Sequence, residues 1–162
     1  MSRPTHSAQD LAQSMINRAN LLKDRGKLAE AESLYRKSLG LRKKALGSKH
    51  PDVAQSMNYL ANLLQEQGRH AEAEPLYRES LELRKEALGR EHRDVASSFS
   101  NLANLLHSTG RYAEAEPLYL QSLKLRKKAY GPRHPHVAMC MSNLAIHLQT
   151  TSRYADCPAA TG

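Results

Sequence analysis

Residues 99–140 read FSNLANLLHSTGRYAEAEPLYLQSLKLRKKAYGPRHPHVAMC, and close variants of the same 42 letters precede them twice. Met57–Ser98 agrees with Phe99–Cys140 at 24 of 42 positions, and with Met15–Ser56 at 26 of 42. A fourth copy opens at Met141 and loses the pattern after Asp156. Self-similarity at a fixed period of this length marks stacked supersecondary units, none of which can bury its apolar face alone.

Within a copy, apolar residues recur at three- and four-residue steps, the signature of an amphipathic helix. In the second copy Val53, Met57, Leu60, Ala61 and Leu64 carry the face of a first helix, A, which Gly68 stops. Pro51 and Pro135 suit the first position of such a helix, where a missing N–H costs nothing. Helix B begins near Ala71, with Glu72 and Glu74 in its acidic first turn, and runs to Gly89 through Leu76, Tyr77, Ser80, Leu81, Leu83, Ala87 and Leu88. Pro75 and Pro117 fall close to that first turn. Short loops between helices imply antiparallel neighbours. Ala19, Ala61, Ala103 and Ala145 share one slot of helix A, and Ala31, Ala73 and Ala115 share one of helix B, where close helix contact is expected. Tyr35, Tyr77 and Tyr119 read as core.

The run Asn101-Leu102-Ala103-Asn104-Leu105-Leu106, followed by Gly110 to Tyr119, resembles the tetratricopeptide repeat, matching its signature at Leu102, Ala103, Gly110, Tyr112, Ala115 and Tyr119. Ordinary members repeat at about 34 residues. The longer period and the Gly-x-x-His-Pro loops, Gly47–Pro51 and Gly131–Pro135, look like the repeats of kinesin light chains and related scaffolds. The resemblance implies an all-α fold: an α-solenoid of antiparallel helix pairs wound as a right-handed superhelix. The expected pairs cover about 10–46, 52–88 and 94–130, with a lone helix at about 136–150 and disordered tails at 1–9 and 157–162. Kinesin light chains also carry an N-terminal heptad coil, which residues 1–9 cannot form.

Helix A holds asparagine where a helix gains nothing from it, because the side chain competes for backbone groups. Asn20, Asn62 and Asn104 fill one slot, and Asn17, Asn101 and Asn143 fill the slot three residues earlier, with Tyr59 as the exception. Residues three apart share a face. In the resembled family that face lines a concave groove whose asparagines bond the backbone of an extended peptide. Some of these amides could instead bridge neighbouring helices. Asn58, Gln65 and His107 should line the same groove, beside Gln13, Gln55, Ser97 and Ser100, with Ile16 and Ile146 as apolar spots. Arg42, Arg84 and Arg126 sit at the edge of the buried stripe of helix B, either to reach a ligand carboxylate or to complement the helix end. The lysine that tetratricopeptide carboxylate clamps place three residues before the first amide slot is missing, which disfavours chaperone-tail recognition.

The net charge of +8 raises nucleic acid as a partner. The basic runs recur at helix ends, however, without interleaved aromatics, so an acidic peptide is the better expectation. No apolar run approaches the roughly 18 residues of a membrane helix, and the start lacks the apolar core of a secretory signal. Two cysteines without framework spacing fit a reducing, cytoplasmic setting. His50, His92 and His134 stand one per loop and form no metal cluster, and no phosphate loop, nucleophile elbow or other catalytic motif appears. No enzyme activity and no cofactor are expected.

The leading expectation is a non-enzymatic adaptor holding an extended, acidic peptide, in the kinesin-light-chain version as part of a motor complex. A repeat segment of a larger signalling ATPase or scaffold is the alternative, and a nucleic-acid-binding solenoid the third. The fourth copy has Ser152 for the glycine and loses helix B, so its helix should fray after about Gln149 or self-associate.

Overall fold

The computed structural model describes residues 4–155. They form seven helices and, among the described residues, no strand: α1 Pro4–Asp24, α2 Leu28–Leu46, α3 Pro51–Glu66, α4 His70–Leu88, α5 Arg93–Ser108, α6 Tyr112–Tyr130 and α7 Pro135–Ala155. The fold class is the all-α repeat solenoid read from the 42-residue period. The helices α1–α4 make one compact unit, up to Arg90, and α5–α7 make a second from Glu91 onward.

Each helix A (α1, α3, α5) packs against its own helix B (α2, α4, α6). The alanine slots explain how closely. Ala19, Ala61 and Ala103, and Ala31, Ala73 and Ala115, are all fully buried. Between them a serine on helix B reaches the backbone of helix A. Ser38 Oγ donates to the Ala12 carbonyl, Ser80 Oγ to that of Ala54 and Ser122 Oγ to that of Ala96, at 2.8–2.9 Å. In the first unit α2 also packs on α3, and Leu39 of α2, Val53, Ala54 and Met57 of α3 and Leu76 and Leu83 of α4 form one apolar cluster. Burying such side chains stabilises by about 1.5–3 kcal/mol each.

Loop chemistry is equally repetitive. The recurring histidines are N-caps: His50 Nδ1 accepts the Asp52 amide and His92 Nδ1 the Asp94 amide, both at 3.1 Å, and His134 Nδ1 accepts the His136 amide at 3.2 Å. The A-to-B turns close with a bond from the residue after glycine back to helix A, Arg69 N–H to Leu64 O and Arg111 N–H to Leu106 O at 2.8 Å. Gly68 and Gly110 adopt φ of +75° and +77° there, a region that strains any residue with a Cβ. Ser152 occupies that slot in the fourth copy, and α7 makes no turn but continues to Ala155.

Three boundaries differ from the sequence reading. Helix α1 starts at Pro4, inside the expected tail 1–9. Helix α7 runs five residues past the expected 150. Helix α4 begins at His70, so Pro75 stands inside it, past the first turn. The expected tail 157–162, with Cys157, lies outside the described residues. Two faces are uncovered. Leu11 is 51% exposed, although Val53 and Val95 at its slot are fully buried. On α7, Ala138, Met141, Ala145 and Leu148 are exposed along one stripe.

Replacing Ser80 with Ala should lower unfolding free energy by about 1–3 kcal/mol, because the Ala54 carbonyl and the Asn58 amide, whose Nδ2 donates to Ser80 Oγ at 2.7 Å, both lose a buried partner. Chemical denaturation measures this, and a change under a few tenths of a kcal/mol would contradict the assigned tie.

Candidate functional site

In each hairpin the helix-A asparagine is held by the helix-B tyrosine. Tyr35 Oη donates to Asn20 Oδ1 and Tyr77 Oη to Asn62 Oδ1, both at 2.5 Å, and Tyr119 Oη donates to Asn104 Oδ1 at 2.8 Å. Burial pushes the Tyr35 and Tyr119 hydroxyls up to about 12, and that of Tyr77 higher still, so all three remain donors across the physiological range. A donor on Oδ1 fixes which way the amide points and leaves its NH2 unspent on this bond. The Gln65 carboxamide also lies 2.8 Å from Tyr77 Oη. That contact ends on Gln65 Oε1, which shares the single Tyr77 hydroxyl proton with Asn62 Oδ1. All three asparagines are half-buried.

Beside Asn20 in the first unit, Asn17 is exposed, and its Oδ1 accepts from Gln13 Nε2 at 3.0 Å. Gln13 Oε1 in turn accepts from Arg42 Nη2 at 2.7 Å. Helices α1 and α3 are tied at both ends, by Gln9 Nε2 to Asp52 Oδ2 at 3.5 Å and by Lys23 Nζ to Glu66 at 2.9 Å. The unit thus presents Asn17, Asn20, Asn62 and Gln65 from two helices held side by side. Tyr59 takes the slot of Asn17 and lies flat against Tyr35, with ring centres 5.9 Å apart and planes 3° from parallel.

In the second unit Asn104, His107, Tyr119, Asn143 and Ile146 line a cavity of about 190 Å³. Asn101, expected in the same groove, is half-buried on α5. His107 Nδ1 lies 3.0 Å from Nδ1 of His147, a residue the sequence reading did not single out. His147 is fully buried, in the slot filled by Leu63 and Leu105, and that departure from leucine was the available signal. Tyr112 and Tyr119 pack around it, and the Glu116 carboxylate is 3.8 Å from its Nε2.

Six residues expected in or beside the groove, Asn58, Ile16, Ser100, Arg42, Arg84 and Arg126, are corrected by burial. Asn58 is 6% exposed and turned to Ser80, because its slot, shared with Ile16 and Ser100, faces helix B. Arg42, Arg84 and Arg126 are buried too. Arg42 Nη1 donates to the Asp52 carbonyl at 2.9 Å and to Gln55 and Ser56 at 3.1 Å, so this guanidinium joins α2 to the following helix A instead of extending to solvent. The neutral network and the Asp52 charge keep it protonated even though burial draws its pKa down.

Among the described residues no group of three His, Cys, Asp or Glu side chains could hold a metal ion, and no helix is long and apolar enough to cross a membrane.

A tetratricopeptide-repeat family model matches residues 10–86, 53–128 and 94–156. Sequence comparison with curated proteins finds no significant match. Among solved structures, a Podosopora anserina protein provisionally named a kinesin light chain, with nearly identical TPR-like repeats, is 25% identical at a TM-score of 0.81, over 94% of this chain and 70% of that one. BtubC (BKLC) from P. vanneervenii is 24% identical at a TM-score of 0.76, covering 92% of this chain, which spans 66% of its length. The first TPR of Spaghetti (RPAP3), bound to the HSP90 peptide SRMEEVD, is 17% identical at a TM-score of 0.63, over 89% of this chain and 95% of that one.

The His147 pair gives the second unit a pH dependence. A 3.0 Å contact between two Nδ1 atoms needs one proton between them, and protonating both rings sets two N–H groups against each other. Burial first, and the neighbouring His107 second, draw the His147 pKa below its ordinary 6.5, against the opposite pull of Glu116. Below that ordinary value the unfolded chain binds more protons than the folded one, so this contribution is full above it and is lost as pH falls. The melting temperature should therefore decline between pH 7 and pH 5 more steeply in the wild type than in His147→Leu, with parallel profiles as the contrary result.

Proposed function

The chain belongs to the tetratricopeptide-repeat family, whose repeats serve as protein–protein interaction scaffolds, and from that premise we propose that its helix-A face holds an extended, acidic peptide. The observation that carries the reading is the tyrosine-locked asparagine. Asn20, Asn62 and Asn104 each have Oδ1 engaged from the buried side, so the NH2 remains to meet a main-chain carbonyl of a ligand. Backbone-directed amides hold an extended segment with little regard to its sequence. Asn17, Asn101, Asn143, Gln65 and His107 extend the same faces. Because the amides are pre-set by buried bonds, binding costs little further ordering of these side chains.

An acidic ligand suits the 24 Lys and Arg against 16 Asp and Glu. A cargo-adaptor role of kinesin-light-chain type, in a cytoplasmic motor complex, is the specific form of the proposal, supported by likeness to the P. anserina repeats. Self-association through α7 is a second reading, favoured by the exposed Met141 and Leu148. A sedimentation coefficient independent of concentration would remove it.

The decisive variants are Asn62→Asp with Asn104→Asp. Each aspartate still accepts from its tyrosine, which spares the fold, but replaces the outward NH2 with a carboxylate oxygen. Peptides selected on an array by the wild type should bind the double variant at least about tenfold more weakly, with the melting temperature nearly unchanged. Equal binding would take the amides out of the mechanism.

A further inference from the structure

The second unit contains another polar cavity, of about 50 Å³, lined by Arg93, Ser97, Arg126, Tyr130 and His136. No carboxylate is among these side chains. Arg126 is 6% exposed, yet its two hydrogen bonds are long: Nη1 to the His136 carbonyl and Nη2 to Ser97 Oγ, both 3.4 Å. Good N–H···O bonds measure about 2.7–3.2 Å.

In the first unit the arginine of the same slot holds shorter and more numerous hydrogen bonds. Arg42 makes four bonds of 2.7–3.1 Å, to Gln13, Gln55, Ser56 and the Asp52 carbonyl, and the Asp52 carboxylate favours its charge. Two periods on, those acceptors have been exchanged. Ser97 stands for Gln13, His136 for Asp52, Met139 for Gln55 and Cys140 for Ser56. Arg93, at the slot of Gln9, adds a second guanidinium. The first turn of α7 carries no acid, whereas α3 has Asp52 and α5 has Asp94, so the positive end of the α7 dipole is uncompensated. A buried cation left with two long hydrogen bonds to uncharged oxygens calls for an anion from outside.

We propose that this cavity binds a tetrahedral oxyanion of the phosphate class. Arg93 and Arg126 supply two charges, and Tyr130 and His136 supply further donors, while the Ser97 hydroxyl donates to the Arg93 carbonyl at 3.4 Å. About 10–15 Å³ of cavity holds one water, so the space admits about four oxygen-sized atoms. Two guanidiniums match a dianion, where a carboxylate offers a single charge. His136 is poised by its neighbours, its ring 5.5 Å from that of Tyr130 and 5.0 Å from that of His134. The oxyanion site stands without the peptide-groove reading. That the anion arrives on a phosphorylated side chain of a peptide rests on that reading.

The test titrates the full chain with inorganic phosphate while NMR follows the arginine Nε–H and His136 ring signals. Saturable shifts are expected, with acetate binding at least about tenfold more weakly. Arg93→Gln should weaken phosphate by about tenfold. His136→Asp, which restores the acid of the other copies at an exposed position, should abolish binding without lowering the melting temperature. Undiminished phosphate binding by His136→Asp, or acetate binding as tightly as phosphate, overturns the proposal. A second arm compares a serine peptide with its phosphoserine form. Tighter binding of the phosphoserine form, lost in His136→Asp, supports delivery on a peptide. If phosphate binds but neither peptide does, the groove reading fails and the oxyanion site remains.

Discussion

Each hairpin is closed by a buried hydrogen bond that forms only when its two helices are in register: a helix-B serine, 26 residues on, donating to a helix-A alanine carbonyl. That carbonyl already belongs to a helix, so the serine adds a bond without breaking the ladder. The serine is small enough to leave the facing helices in contact through their alanines. With the serine in place, the tyrosine three residues earlier on the same helix is brought to the asparagine of helix A. The orientation of the surface amides therefore descends from a packing constraint in the interior. Amides aimed by the core need no ligand to organise them.

The architecture was legible in the sequence because the evidence for it is repeated. Three copies agree on the alanine slots, the stop glycines and the tyrosines, and any one copy would have been ambiguous. Roles that depend on where a side chain ends were not legible. Arg42, at the boundary of the apolar stripe, could as well have reached water as the next helix, and spacing does not choose between a buried bridge and a ligand contact. Asn58 looked like Asn62 in composition but stands four residues away, on the side that meets Ser80. The loop histidines were placed correctly but not recognised as caps, since His lies outside the usual capping set of Ser, Thr, Asp and Asn. The path of α7 turned on one residue, Ser152, whose effect is to fail to make a bend.

Departures from the repeat matter more than its conservation from copy to copy. Tyr59 fills the space beside Tyr35 in the first unit. At the corresponding place in the second unit stands Asn143, and beside Tyr119 a cavity of about 190 Å³ is open. Leucine occupies the buried slot of Leu63 and Leu105, and His147 brings a titratable ring to the same depth. Asp52 becomes His136, and the neighbouring arginine changes from four short hydrogen bonds to two long ones. In all three cases the backbone is that of the other copies, so the exchange alters chemistry without altering the scaffold.

This separation has a physical basis. A repeat is stabilised mainly by its own hairpin and its nearest neighbour, so a substitution at one slot is felt over a short range. The alanines, serines and tyrosines that hold the hairpin are tightly constrained, because each meets a partner of fixed size and polarity. Slots at the helix-A face and at the joints between copies face space or polar groups and tolerate exchange. It follows that the polar groups with weak or missing partners in this chain should gather at those slots rather than in the hairpin core. Two of the four among the described residues do: Nε of Arg42 lies at a joint between copies and Nε2 of His147 lies where α7 meets its neighbours, both buried and without a hydrogen-bond partner. Nδ1 of His70, by contrast, lies at the start of α4, and Oδ1 of Asn58 is an exception inside the hairpin, where the Asn58 amide spends its NH2 on Ser80.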